Sequence, residues 1–282
     1  MVLSQNLITR ALSGAVFVAV IIGSILLHPY AYAGVMAVVV VWAIIELHNI
    51  INQERIRTGK YIGVFFGVTL FVISFFYAQR LITGKVFLLF IPLMTLLFIS
   101  LLYAKKHHPF QALATTFISV VYIAAPFSLC NGLVFPSGES GFLNPDGKYV
   151  PDILFGFFIL LWTNDTFAYL TGIMFGRHRL FERISPKKSW EGFIGGLVCT
   201  IALSLLVAKW FPILPFYHWM AVAAIIVVFG VYGDLIESLL KRNLNIKDSG
   251  RFLPGHGGIL DRFDSVLLAV PMVFFYLKMF VL

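Results

Sequence analysis

Between residues 233 and 265 the chain reads GDLIESLLKRNLNIKDSGRFLPGHGGILDRFDS, a polar, glycine-punctuated stretch beside long apolar runs. Asp234 and Glu237 stand three apart at the end of an apolar helical run, so both leave one helix face, and Lys241 follows one turn later. Asp261 and Asp264 repeat that spacing. Between the pairs lie Lys241, Arg242, Lys247 and Arg251, then Gly255, His256, Gly257 and Gly258, whose small residues let backbone N–H groups approach a ligand. Carboxylates that hold a divalent cation, a cation that bridges phosphate oxygens, and basic side chains that neutralise the remaining charge describe a site for a phosphorylated ligand. A solvated interhelical loop would account for the basic residues alone. It would not account for two acidic pairs at membrane depth, where carboxylates carry a cost.

The elements that position these groups must be membrane helices. Of 282 residues, 60% are hydrophobic and 12% charged, with 29 Phe, whereas soluble domains carry about 25% charged residues. The net charge of +8 does not indicate nucleic acid, because the basic residues fall in short loops between apolar runs. Cys130 and Cys199 lie in apolar stretches outside any CxxC pair and read as packing residues. Arg10, the apolar run 11–27 and Ala31-Tyr32-Ala33 imitate a secretory signal, but apolar sequence resumes at once through Ile45, so a retained first span is expected.

The expected fold is all-α and polytopic, with nine transmembrane helices at about 11–27, 30–46, 61–78, 86–103, 111–134, 152–175, 192–212, 216–238 and 264–282. Pro126 and Pro271 interrupt the fifth and ninth spans. With nine spans the 21 Lys and Arg divide 16 to 5 between the two sides, which places the N-terminus and the 241–262 loop in the cytoplasm. Residues 135–151, rich in Gly, Pro, Ser, Asn and Asp, read as an extracytoplasmic loop. It parts an N-terminal region of about five spans, residues 1–134, suited to scaffolding or dimerisation, from a catalytic region of about four spans, residues 152–282.

The first region is almost purely apolar, broken by Glu46 at a span end, where an interfacial acid is expected. His28, His48, His107, His108, His178 and His218 lack metal-ligand spacing and read as interfacial or loop residues. In the second region, Asp165 lies deep in the sixth span, with Tyr169 one turn away on the same face. A charge there must face a partner or a wet cavity, and we read it as an active-site wall. Beyond Arg177 and Arg179 comes Ser185-Pro186-Lys187-Lys188-Ser189-Trp190-Glu191-Gly192, a basic loop that ends at a new helix, a place suited to anions. The loop could grip a lipid phosphate, a triphosphate or anionic lipid in general, and the last suits Arg177 and Arg179 equally well.

Two segments carry a family resemblance. Ser238-Leu-Leu-Lys241-Arg242, Lys247-Asp248 and His256-Gly257-Gly258-Ile-Leu-Asp261-Arg262-Phe-Asp264 resemble the signature of the phosphatidate cytidylyltransferases, or CDP-diacylglycerol synthases. The 185–192 run resembles a second segment of that family, while residues 1–150 carry no matching motif. The resemblance implies transfer of a cytidylyl group from CTP to phosphatidate, releasing diphosphate; the short, compact form suggests a bacterial inner membrane, and the basic-residue count puts the site on the cytoplasmic side. It implies Mg²⁺ on Asp234, Asp261 and Asp264, with room for a second cation, and a homodimer. Lys241, Arg242, Lys247, Asp248 and His256 would join the acids in catalysis. Asp165, Ser185, Lys187, Lys188, Glu191, Arg251, Gly257 and Gly258 would bind substrate. For His256, a phosphate donor or loop brace fits better than a general base, because the attacking phosphate is already anionic.

Two other readings share these features. A CTP-dependent polyprenol or phytol kinase would transfer the γ-phosphoryl group with the same metal. An ion-coupled transporter would use Asp165 and Asp234 as ion sites, although transporters often show paired halves and here the polar chemistry is concentrated in one half.

Overall fold

The computed structural model describes residues 2–52, 59–103, 109–136, 147–250 and 257–282, with side chains described from residue 12 onward. Arg251 and His256, the basic residues Arg55, Arg57, Lys105 and Lys106, His107, His108 and the 137–146 part of the expected outer loop lie outside the described residues. The chain is nearly all helical: α1 (Val2–Leu27), α2 (Pro29–Asn52), α3 (Lys60–Ala78), a 3₁₀ turn (Gly84–Leu89) leading into α4 (Phe90–Tyr103), α5 (Pro109–Ile118), α6 (Ala125–Val134), α7 (Asp152–Phe175), α8 (Trp190–Trp210), α9 (Phe216–Asn243) and α10 (Leu260–Phe280).

Among the described residues, eight helices are long and apolar enough to cross a membrane, and Leu12–Leu27 forms a shorter apolar helix. This is the architecture of a polytopic membrane protein. In lipid a lone segment satisfies its backbone only as a helix. The fifth crossing, Pro109–Val134, contains a π turn at Ser119–Ala124 between α5 and α6. Pro126 has no N–H to offer the carbonyl four residues earlier, and the backbone widens immediately ahead of it.

One expectation is corrected. The basic stretch after α7 is a two-stranded antiparallel hairpin, β1 (Arg179–Phe181) and β2 (Ser185–Ser189), with Arg179 opposite Ser189 and Phe181 opposite Ser185. Pro186 disfavours the helical region for Ser185 and favours extended backbone, and this short segment pairs as a strand.

The chain forms two compact units. The first comprises the described parts of Met1–Phe135 with Gly147–Tyr149 and Asp248–Leu260. Here α2 packs on α1 and α3, and α3 packs on α6. Polar staples fasten the apolar helices: the Tyr32 hydroxyl donates to Asn131 Oδ1 at 3.1 Å, and Asn131 Nδ2 donates to Phe71 O at 3.2 Å and Ser74 Oγ at 2.7 Å. The Tyr149 hydroxyl donates to Ile25 O at 2.6 Å. Glu46 and His48 are buried, at 6% and 0% exposure. The reason is length and packing: α2 continues to Asn52, beyond the expected end at residue 46, and His48 Nε2 meets Ser119 Oγ at 3.3 Å.

The second unit comprises Val150–Lys247 and Asp261–Leu282. Its centre is α7, which packs on α8 and α9. Glycines permit this. A Cβ on Gly192 would stand 2.7 Å from Ala168 O, and one on Gly196 would stand 2.6 Å from Asn164 Oδ1. Close backbone approach replaces the hydrophobic driving force that lipid does not supply. At the other end, buried Trp219 fills the space left by Gly156 and donates its indole N–H to Phe211 O at 3.1 Å.

Candidate active site

The site of the second unit is assembled by α7, the hairpin, α8, α9 and α10. The hairpin is tied to the start of α8 by Glu191, whose carboxylate accepts the backbone N–H of Arg177 at 3.1 Å and of His178 at 3.2 Å. The same carboxylate lies 2.6 Å from His178 Nδ1. Ser189 caps α8, its hydroxyl accepting from the Gly192 N–H at 3.1 Å. These bonds set the direction in which β2 presents its lysines. Lys188 Nζ ends 2.6 Å from Asp234 Oδ2 on α9.

Asp234 is also held from its own helix, since the Ser238 hydroxyl donates to Oδ1 at 3.1 Å. Gly233 brings α9 against α10: a Cβ there would collide with Asp264 O and lie 3.1 Å from Ser265 Cα. With no side chain between the helices, ligand oxygens of Asp234, Glu237 and Asp264 come within 4.8 Å of one another. Glu237 has no solvent exposure. Lys241 lies 2.5 Å from its Oε2 and 2.7 Å from Asp261 Oδ1, so one ammonium bridges two acids. Glu237 Oε1, buried beside them, makes no hydrogen bond among the described residues.

A cavity of about 700 Å³ opens beside this cluster, lined by Asp165 and Tyr169 of α7, Lys187 and Lys188 of β2, Asp234 and Ser265 among others. Asp165 is exposed to it, as its place in an apolar helix requires. Ser185 and Arg179 add further polar wall, and apolar Ile173 and Phe193 line it too. A pocket lined by acids, lysines and apolar residues suits a ligand that is part polyanion and part hydrocarbon.

The profile of a family described as the cytidylyltransferase family matches residues 8–280. The chain belongs to that family. Its relatives include the phosphatidate cytidylyltransferase of Staphylococcus haemolyticus, 34% identical over 233 residues that cover 82% of this chain and 85% of that protein. The phosphatidate cytidylyltransferase of Staphylococcus aureus is 35% identical over 236 residues, again 82% and 85% of the two chains. That of Staphylococcus epidermidis is 39% identical over 172 residues, covering 60% and 61%. As a member of the cytidylyltransferase family, the chain is a nucleotidyltransferase.

Within this cytidylyltransferase-family chain, the structure brings together Asp234, Asp264, Lys188 and Lys241 of the expected site, and it places Asp165, Ser185 and Lys187 on the cavity wall. Asp261 stands on the far side of Lys241, paired with that lysine. Glu191 faces the hairpin backbone. Arg242 and Lys247, beyond the cluster at the end of α9, are exposed, as is Asp248. Asp248, Gly257 and Gly258 belong to the first unit, where Gly257 takes φ +80°, a conformation that favours glycine. Glu237, which the spacing pairs with Asp234, joins the cluster as well, and its three-residue offset on an apolar helix is the sequence signal for it. Asn164, Gly233 and Ser265 had no such signal, because their relevance comes from contacts across helices.

Proposed function

We propose that this protein is a phosphatidate cytidylyltransferase of the inner membrane, with nine spans, a cytoplasmic N-terminus and a site open to the cytoplasm. The observation that carries the reading is the Asp234–Glu237–Asp264 cluster facing Lys188 at the edge of a half-polar cavity. Its substrates would be CTP and phosphatidate, and its products CDP-diacylglycerol and diphosphate. A phosphatidate oxygen would attack the α-phosphorus of CTP, forming a new P–O bond as the bond to the diphosphate leaving group breaks.

The donor set fits Mg²⁺. Its three carboxylates offer only oxygen, Lys188 and Lys241 answer part of their charge, and buried Glu237 Oε1 makes no hydrogen bond among the described residues. Asp234, Glu237 and Asp264 would hold the ion, whose chemistry is to neutralise phosphate charge and orient the reacting groups. Asp261 is best read as the partner that positions Lys241. The protein's own contribution is placement and charge. Lys187 and Lys188 would receive phosphate oxygens at the cavity wall, and Lys241, Arg242, Lys247 and Arg251 would steady the triphosphate. Asp165 and Ser185 would orient the lipid headgroup. Gly257 and Gly258 would offer backbone N–H groups, His256 would donate or brace, and Asp248 would order the loop after α9. Phosphoryl and nucleotidyl transfer depend chiefly on such positioning. The acyl chains remain in lipid, so no extraction step is needed.

The test is an assay of the purified protein with α-³²P-labelled CTP, Mg²⁺ and phosphatidate in mixed micelles. Label entering the lipid phase with an equal amount of diphosphate is expected. CDP release with no lipid-bound label would establish γ-phosphoryl transfer and overturn the proposal, as would a folded protein that does not use CTP.

A further inference from the structure

Glu46 takes no part in the chemistry above, yet it is the single carboxylate of α2 and is buried. Its Oε2 accepts the backbone N–H of Leu260 at 2.8 Å, the first residue of α10. The first four N–H groups of a helix have no partner within it, and a carboxylate there is favoured by both hydrogen bonding and the helix dipole. Described residues ahead of α10 leave space for the same group. A Cβ on Gly250 or on Gly258 would collide with Glu46 Oε1, and buried Ser249 Oγ would lie against a Cβ on Gly258. Gly250 and Gly258 each leave room for one carboxylate from α2.

We propose that Glu46 is a positioning residue for cytidylyl transfer: it fixes where α10 begins and packs against Gly250 and Gly258 ahead of it. Gly257 and Gly258 precede α10, which carries Asp261 and Asp264 one and four residues after Leu260. A shift in the first turn of α10 moves both acids, and small misplacements at a reacting centre cost rate steeply. Desolvating a carboxylate in this helix is costly, and the bond from Leu260 offsets part of that cost. The proposal rests on the cytidylyltransferase reading above and adds to it a role for the first unit, which no motif in residues 1–150 suggests.

The experiment compares wild type with Glu46→Gln, Glu46→Ala, Gly250→Ala and the Glu46→Ala/Gly250→Ala double variant, as folded proteins in mixed micelles. Glu46→Gln keeps an oxygen for the Leu260 N–H and is expected to stay within about threefold of wild-type kcat, whereas Glu46→Ala should lose about tenfold or more. KM for phosphatidate should be unchanged in both. Gly250→Ala alone should lose activity too, but the double variant should fall no further than Glu46→Ala, because the added methyl no longer meets a carboxylate. Amide exchange of the peptide spanning residues 257–266 should accelerate in Glu46→Ala, with other helices unchanged.

A Glu46→Ala protein with wild-type kcat, a loss only of melting temperature, or additive losses in the double variant would each overturn the proposal. Should Glu46→Ala not fold, a folded Gly250→Ala with unchanged kcat and unchanged exchange would overturn it equally. A wild-type protein without cytidylyl transfer would instead overturn the reading beneath it, a distinct result.

Discussion

Lys188, the fourth residue of a short β-strand, places its ammonium 2.6 Å from Asp234 Oδ2 on a helix that begins 28 residues later. The contact joins the two segments whose residue types suggested phosphate chemistry. Asp234 is thereby shared between a lysine that faces the cavity and the acidic cluster behind it.

Removal of that lysine should therefore impair function more than folding. Both side chains are partly exposed, at 24% and 33%, so the stability loss of Lys188→Ala should stay below about 1 kcal/mol. The value of kcat/KM for CTP and phosphatidate should fall by about tenfold or more, with Lys188→Arg recovering part of it. Unchanged steady-state kinetics in a folded Lys188→Ala protein would remove the lysine from the site.

The contact of α9 with α10 at Gly233 gives a steric test. Gly233→Ala forces a methyl group onto Asp264 O, and should cost about 1–3 kcal/mol with a larger relative loss of activity, since Asp264 moves. Gly230→Ala, where the new methyl would meet Leu161 Cδ1 at 3.4 Å, should be milder. Melting temperature and kcat of the two variants, measured side by side, check the ordering; equal effects would mean that the Gly233 contact is not special.

Lys241 bridges Glu237 and Asp261 in a nearly dry setting. Lys241→Met leaves two acids without their shared cation and should destabilise by about 3–5 kcal/mol. Adding Glu237→Gln should restore part of that loss by removing one of the stranded charges. Thermal unfolding in detergent reads both variants, and a double variant less stable than Lys241→Met would contradict the bridge.

Divalent ions should bind where three carboxylates meet. Chelation by EDTA should abolish activity, and added Mg²⁺ should restore it. Glu237→Gln should raise the Mg²⁺ concentration for half-activation by about tenfold, and titration calorimetry should show the same weakening without substrate. A calorimetric profile like that of wild type would remove Glu237 from the ion site.

Much of this protein follows from local sequence. A helix in lipid is an apolar segment of sufficient length, so the helices appear close to where the runs of Leu, Ile, Val and Phe put them. The same holds for Asp234 with Glu237, because a three-residue offset on one helix fixes a shared face before any packing occurs. Contacts between elements are different, because their geometry is not contained in any one segment. Nothing in the spacing of Asp261 and Asp264 says that the first meets Lys241 and the second meets Asp234 and Glu237. That division depends on how far α9 and α10 approach at Gly233, which is decided by side-chain volume across two helices.

Glu46 shows the limit most plainly. In sequence it is an isolated acid near the expected end of an apolar run, and the cost of burying it argues for the interface. Folding supplies what the run could not display: the N–H of Leu260, more than two hundred residues away, and two glycines that leave space for the carboxylate. Composition and periodicity determined the membrane helices and the chemical types present. Tertiary structure decided which acids are paired, which face the cavity and which is buried, since a charge is tolerated inside only where distant groups converge to satisfy it.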